Sequence, residues 1–222
     1  IGLIIMGACI ADGLTSAFQS DRIVTVKGLS EREVPADKVT WPLVYKELGN
    51  EPAEMYNRLA TKNRQVIDFL KEKGISENEI SESAIQVSDR QADSYDQNNI
   101  LYRYKATSVI TVTSSQVELI RKIMQSQSEL MKMGIALITE EYGTNTVKYE
   151  FTGLNEIKPD MIEESTKNAR ATAEKFAKDS DSKLGKIRKA SQGQFSIDNR
   201  DANTPYIKRI RVVSTIEYYI ED

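Results

Sequence analysis

The side chains that most often do chemistry in proteins are nearly absent from this sequence. It contains no histidine, so the commonest general base and the commonest transition-metal ligand are missing. Its single cysteine, Cys9, lies in the apolar N-terminal stretch and not in the body of the chain. Cys/His zinc sites, disulfides and Ser-His or Cys-His nucleophile pairs are therefore impossible within one copy. We expect a protein that is not an enzyme.

One group of acidic side chains could in principle bind a hard cation. Glu31, Glu33 and Asp37 lie near one another in the sequence, and their carboxylate oxygens are suitable ligands. A solvated turn beside a charged edge strand explains the same three residues better. We therefore predict no cation site from them.

The other polar groups are weaker candidates. Asp198, Asp201 and Asn203 lack the regular spacing of a calcium loop, so we expect a solvated turn there. The pairs Glu140–Glu141 and Glu163–Glu164 could supply two carboxylates for glycoside hydrolysis, but no other feature indicates a sugar-binding cleft. We assign no catalytic, cofactor-binding or metal-binding residue, and we expect no cofactor.

The aromatic residues leave two alternatives open. Tyr95, Tyr102 and Tyr104 lie around the polar stretch Asp89–Asn99, which reads as a long hairpin tip. They could form a protein-interaction surface or ordinary cross-strand pairs. Trp41, the only tryptophan, is expected to anchor the core or an interface.

Methionines and basic residues favour structural roles. Met124, Met131 and Met133 are expected to fill gaps between helix and sheet. The basic run Lys208–Arg211 is typical of a solvated sheet edge rather than a phosphate site. The formal net charge of −3 gives no field that would attract nucleic acid, so we expect no nucleic-acid partner.

Alternating strands and helices must position these side chains. Period-two alternation predicts a first strand over Arg22–Gly28, a turn over Leu29–Arg32 and a second strand over Glu33–Leu48. Six further segments are predicted to be strands: Ile80–Ser88, Leu101–Thr113, Ile135–Glu141, Thr146–Thr152, Lys186–Ile197 and Tyr206–Tyr219.

Three helices are predicted between the strand pairs. The first spans Pro52–Gly74, with glycine as a left-handed stop. A capping box at Ser115–Glu118 opens the second, which ends by Gly134. The third spans Pro159–Gly185, and its small residues predict a close approach to the sheet or to another helix. The expected buried faces are Tyr56, Leu59, Asn63, Ile67 and Leu70; then Val117, Ile120, Met124 and Met131; then Ile162, Ser165, Ala169, Ala173, Phe176 and Ala177.

This rhythm of two strands per helix indicates the fold class. Paired strands with short links imply antiparallel sheets with helices on one face, which is an α+β architecture. We expect residues 21–222 to form this domain. Residues 1–20 are expected to form a separate apolar N-terminal helix.

The N-terminal stretch Ile1–Leu14 is apolar except for Asp12. Alone it is shorter than the roughly twenty residues that cross a bilayer. Extended upstream, it fits a signal-peptide core or an uncleaved signal anchor, and we favour the anchor. A lipidation signal ending at Cys9 and a buried element of the domain are the alternatives.

Several motifs, in their order and spacing, resemble the SIMPL-domain family of bacterial envelope proteins. That family includes periplasmic immunogenic antigens and oxidative-stress defence proteins. The resemblance covers roughly residues 22 to 221. The motifs are Val24–Gly28 with Val34–Asp37, then Lys73–Ile80, then Ala169, Ala173 and Ala177 followed by Leu184–Ile187.

The resemblance implies an α+β fold, export across the inner membrane and assembly into large homo-oligomers, and it supplies no catalytic residues. We expect an envelope protein on the periplasmic side, with a structural or interaction role and a link to stress defence. Its expected partners are copies of itself and the inner membrane, contacted through Ile1–Leu14. The alternative is a binding or chaperone-like protein for a small molecule or an unfolded client.

Overall fold

The computed structural model describes residues 22–92, 101–138 and 145–221. They form an α+β fold with antiparallel sheets, as predicted; the expected N-terminal helix lies outside the described residues. Among the described residues, no helix is long and apolar enough to cross a membrane.

Nine strands and four α-helices are assigned in the described residues. The strands are β1 Ile23–Pro35, β2 Lys38–Gly49, β3 Ile80–Glu82, β4 Gln86–Asp89, β5 Tyr104–Ser114, β6 Lys148–Glu150, β7 Lys183–Gln192, β8 Ser196–Asn199 and β9 Ile207–Glu221. The helices are α1 Pro52–Glu72, α2 Val117–Gln125, α3 Ser128–Lys132 and α4 Leu154–Asp179, and a 3-10 turn covers Glu77–Glu79.

The chain divides into two compact units. The four-stranded unit holds the described residues up to Glu33, Gly153–Asp198 and those from Arg209 onward. The five-stranded unit holds Val34–Thr152 and Asn199–Lys208. That residues 21–222 act as one domain stays a prediction.

The sheet of the five-stranded unit is centred on β5 and β2. These two strands pair from Val39 opposite Ser114 to Gly49 opposite Tyr104. On its other side β5 pairs with β3 and β4, and β6 pairs with the beginning of β2. The predicted strand Ile80–Ser88 is thus two short edge strands.

Helices α1, α2 and α3 contribute to the large apolar core of this unit. Helix α1 begins at Pro52 as predicted, and Gly74 adopts a φ of +93° while the Ile75 N–H bonds to the Leu70 carbonyl. This confirms the glycine stop. The fully or nearly buried core side chains are Val39, Trp41, Leu43, Tyr45, Met55, Leu59, Val66, Phe69, Leu70, Ile75, Ala106, Ile110, Val112, Val117, Ile120, Ile123, Leu130 and Ile135.

Two helix faces differ from prediction by one residue. Tyr56 is 60% exposed, and Met55 is buried in its place. Met131 is likewise exposed, and Leu130 is buried. The predicted second helix is broken into α2 and α3. One continuous helical period therefore cannot place the buried residues of both α2 and α3.

The predicted capping box at Ser115–Glu118 is wrong. The helix begins after Gln116, which makes no side-chain cap, and the Ser114 hydroxyl accepts the Gln116 N–H instead. A capping box is present at Ser76–Glu79, where it starts the 3-10 turn.

The strands predicted after this helix are largely absent. Residues 135–138 are not a strand, although the Ile138 N–H bonds to the Val44 carbonyl, and Thr146–Thr152 contributes only β6. Residues 139–141 lie outside the described residues.

The sheet of the four-stranded unit has β9 at its centre. Strand β1 pairs with one side of β9, whereas β7 and β8 pair with the other. The Ile220 N–H bonds to the Arg22 carbonyl, and the Ala36 N–H bonds to the Tyr206 carbonyl. These two bonds show that β1 and β9 are antiparallel.

Helix α4 packs directly on β1 through small residues, as the alanine stripe predicts. Ser165, Ala169 and Ala173 are fully buried. A Cβ added to Gly28 would lie 1.8 Å from the Ser165 carbonyl oxygen and 2.4 Å from the Ala169 nitrogen. The glycine is therefore required because helix backbone occupies the space of its missing side chain.

The turn predicted at Leu29–Arg32 is wrong, because β1 continues to Pro35. Ser30 is buried against α4 and its hydroxyl donates to Glu164 Oε2 at 2.9 Å. A polar residue therefore occupies an inward position of β1. It interrupts the alternation of apolar and polar residues that would predict a strand here.

The start and end of α4 also differ from prediction. The helix begins at Leu154 with Pro159 inside it, and it ends at Asp179, so Gly185 lies in β7. Met161 is buried, whereas Phe176, predicted to be buried, is 57% exposed.

Candidate interaction edges

Strand β7 forms a border of its sheet, and helix α4 contacts it. Among the described residues its backbone pairs only with β9. Every residue from Lys186 to Gln192 is exposed, including Ile187 at 52%. We call Lys183–Gln192 the basic edge, because it contains four Lys or Arg residues and no acidic residue.

The pairing of the basic edge with β9 is interrupted near its start. The register shifts between Leu184 and Ile187 and again between Ile187 and Lys189. Arg188 forms an ion pair with Glu217 of β9 at 3.2 Å. Bulges and basic residues are both features that protect a sheet edge from indiscriminate pairing.

The five-stranded unit has a border of opposite charge. Strands β3 and β4 pair only with β5 among the described residues. We call Glu77–Asp89 the acidic edge. It contains four acidic residues and no Lys or Arg, and its exposed side chains include Val87.

Some acidic-edge carboxylates already have cationic neighbours. Glu77 pairs with Lys71 at 3.0 Å and remains mostly exposed. Asp89 pairs with Arg103 at 2.7 Å, and the hydrogen bond from that guanidinium is the main cause that lowers the pKa of Asp89. The charged form of the Asp89 carboxylate is thus favoured by its neighbour.

A buried polar network lies behind the acidic edge. The Tyr45 and Ser108 hydroxyls both donate to Asn63 Oδ1, and Asn63 Nδ2 donates to Glu82. Burial is the main cause that raises the pKa of Tyr45 to about 12, so its hydroxyl stays neutral at physiological pH. No buried side-chain nitrogen or oxygen among the described residues lacks a partner, so this network stabilises the fold internally.

An apolar cavity of about 280 Å³ lies beside β2 in the five-stranded unit. Trp41, Val44 and Met124 contribute to its wall. Nearby, the Arg121 guanidinium lies 3.5 Å from the ring centre of Tyr206. The cavity is partly open, and its volume suits only a small molecule.

The structure gives the predicted acidic candidates separate structural roles. Glu31 and Glu33 lie on the exposed side of β1. Asp37 accepts hydrogen bonds from both the backbone N–H and the hydroxyl of Thr152. Among the described residues, no group of three or more Cys, Asp or Glu side chains is arranged to hold a metal ion.

Asp201 organises the turn that the sequence predicts. Its carboxylate accepts bonds from the Thr204 hydroxyl, from Arg200 and from the backbone N–H groups of Asn203 and Thr204. These bonds, that of the Thr204 hydroxyl foremost, lower the pKa of Asp201 to about 2. Asp198 lies in β8.

The glutamate pairs do not form a catalytic dyad in the described residues. Glu163 pairs with Lys167, whose hydrogen bond lowers the pKa of Glu163, whereas Glu164 receives bonds from Ser30 and Arg32. Glu140–Glu141 lies outside the described residues.

The roles predicted for the tryptophan and the methionines are confirmed only in part. Trp41 is a core residue, and Met124 packs against the core, but Met131 and Met133 are exposed and fill no gap. Tyr102 is exposed and Tyr104 packs against the core, while Tyr95 lies outside the described residues.

The prediction of a sheet edge at Lys208–Arg211 is wrong, because β9 is the central strand. Lys208 is buried and donates to Asn199 Oδ1, whereas Arg209 and Arg211 point to the exposed side. The two charged edges were missed altogether. Their signal is visible in the sequence as one run of acidic residues without Lys or Arg and one run of basic residues without Asp or Glu.

Comparison with known proteins supports the resemblance seen in the sequence. The model of the SIMPL family, described as a protein of unknown function (DUF541), matches residues 24–214, which is most of the chain. None of the curated proteins compared with the chain matches it.

Proposed function

Because the chain belongs to the SIMPL family, we propose that it is a non-catalytic protein of the bacterial envelope that assembles with copies of itself. Its role in this proposal is structural or interactive, on the periplasmic side. The apolar stretch Ile1–Leu14 tethers it to the inner membrane. The link to stress defence follows from family likeness alone.

The observation that carries the proposal is the pair of open sheet borders. An exposed strand presents a row of unpaired N–H and C=O groups, which is a template for pairing with another chain. Most residues of the basic edge and of the acidic edge are exposed, and both edges carry exposed apolar side chains such as Ile187 and Val87. This arrangement favours interaction with a second polypeptide.

The absence of histidine and the position of Cys9 support a non-catalytic role. The two nucleophile-and-base arrangements most common in hydrolases need residues that the body of the chain lacks. The carboxylates that could replace them pair with neighbouring cations or organise turns. These side chains therefore support binding to another molecule and not catalysis.

The test is fractionation followed by light scattering. We expect the chain to sediment with membranes and, after mild detergent extraction, to have the mass of several copies at micromolar concentration. Detergent-only micelles provide the control for bound detergent mass. A strict monomer at that concentration would contradict self-assembly, and recovery in the soluble fraction would contradict the tether.

The apolar cavity favours a second candidate function, the binding of a small apolar molecule. Trp41 lines this cavity and is the only tryptophan, so its fluorescence reports on the site without labelling. Titration with cyclohexanol is expected to change the emission saturably, and Val147→Asp in the lining of the cavity is expected to abolish the change. Val87→Asp, at the acidic edge, is the matched control. A linear, unsaturable response of the intact chain would exclude this function.

A further inference from the structure

We propose that the copies join head to tail, with the basic edge of one copy lying as an added strand along the acidic edge of the next. This inference rests on the proposed self-assembly and names its interface. The occupant of each edge is a second copy of this chain.

Charge complementarity is the first observation behind the proposal. The basic edge carries Lys183, Lys186, Arg188 and Lys189, and no acidic residue. The acidic edge carries Glu77, Glu79, Glu82 and Asp89, and no Lys or Arg. The two segments therefore have formal charges of equal size and opposite sign, although Glu77, Asp89 and Arg188 also pair with charged neighbours within their own copy.

The same charges disfavour a two-fold dimer in which two identical edges pair with each other. Two basic edges side by side would place like charges in register, and so would two acidic edges. A two-fold interface brings identical surfaces together, whereas a head-to-tail interface joins different ones. Opposite charges on different edges thus favour a head-to-tail arrangement.

Backbone geometry is the second observation. Strand β7 spans Lys183–Gln192, whereas β3 and β4 lie within Ile80–Asp89 and are separated by residues 83–85, which belong to no strand. Among the described residues, β7 pairs with β9 alone, and β3 and β4 pair with β5 alone. A segment of ten residues is roughly 33 Å long when extended, so β7 is long enough to reach both β3 and β4.

Charge substitutions at exposed positions test the interface. Lys186→Glu with Ser191→Glu lowers the charge of the basic edge by three, and Glu77→Lys with Gln86→Lys raises that of the acidic edge by three. Each double variant alone is expected to weaken assembly about tenfold or more, because like charges then oppose docking. The control is Ser128→Glu with Lys132→Glu on α3, which makes the same change of charge as the basic-edge variant at exposed residues that belong to neither edge.

Mixing the two variants gives the sharpest result. One variant keeps its acidic edge and the other keeps its basic edge, so an equal mixture retains one intact kind of interface. We expect the mixture to form pairs that contain one copy of each variant, detected by native mass spectrometry. Circular dichroism of each variant checks that it is folded.

The outcomes separate this inference from the proposed function. If the intact chain assembles but both double variants assemble equally well, the interface lies elsewhere and this inference alone is overturned. If the variants assemble more tightly, the charges keep copies apart, which also overturns it. Monomeric variants whose mixture forms no pairs would exclude the head-to-tail arrangement. A monomeric intact chain would overturn both proposals.

Discussion

The two units bury their interiors in different ways. The five-stranded unit packs three helices on its sheet with large side chains such as Trp41, Tyr45 and Leu59. The four-stranded unit packs one helix on its sheet, and its buried cluster is small: Val26, Ala169, Ala173, Ile216 and Tyr218. In one unit stability comes from buried apolar area, whereas in the other it depends on close backbone contact.

Both units nonetheless leave a border strand exposed. Helix α4 approaches β1 closely at Gly28 and also contacts β7, yet β7 is exposed from Lys186 onward. In the five-stranded unit, β3 and β4 lie at the border beside β5. An exposed border is therefore common to both ways of packing helices on a sheet.

The largest expected effect is at the close contact. Gly28→Val places side-chain atoms where α4 backbone lies, and backbone cannot move as a flexible side chain can. We expect a loss of more than about 3 kcal/mol in the free energy of unfolding, at or beyond the upper range for overpacking. Urea denaturation measures it. Thr25→Val, on the exposed side of β1, is the control and is expected to stay within about 0.5 kcal/mol of the parent.

A stability loss as small for Gly28→Val as for Thr25→Val would contradict this comparison. It would mean that α4 can withdraw from β1 without cost, so close contact would not be what stabilises the four-stranded unit.

A smaller effect is expected in the five-stranded unit. Tyr45→Phe removes one hydrogen bond to Asn63, but Ser108 still donates to the same oxygen and the apolar ring is kept. We expect a loss of about 1 kcal/mol, because no buried acceptor is left unpaired. Urea denaturation at neutral pH measures it.

The parent chain and the Tyr45→Phe variant are also expected to differ in how their stability depends on pH. The pKa of Tyr45 is raised from 10.0 to about 12 in the folded chain, so the neutral hydroxyl is favoured by folding. Its contribution to stability is fully present below pH 10 and is lost as pH rises through 12. The stability difference between parent and Tyr45→Phe should therefore shrink across this range. A difference that stays constant would show that Tyr45 titrates alike in both states.

Local patterns predict much of this fold. The α+β class follows from strand pairs between helices, and Gly74 and the small residues Ser165, Ala169, Ala173 and Ala177 have the roles that their residue types indicate. These features depend on one residue or on one helix face, so no distant contact is needed to infer them.

The errors arise where a distant contact decides a local choice. Ser30 reads as a turn residue but lies inward because Glu164, more than a hundred residues away, accepts its hydrogen bond. Lys208 reads as an edge residue but lies buried beside Asn199 in a central strand. Strand order is set by such pairings, which a single sequence does not display.

The basic edge and the acidic edge could not be predicted for the same reason. The charge runs at Glu77–Asp89 and Lys183–Gln192 are visible in the sequence, but their meaning depends on both being sheet borders. Without strand order, each run reads as an ordinary solvated surface.

Native mass spectrometry of the detergent-extracted chain tests the central claim, self-assembly, most directly. We predict a population of several copies that dissociates as salt is raised, because opposite charges on the two edges are screened. A single species with the mass of one chain, at micromolar concentration and low salt, would contradict the account.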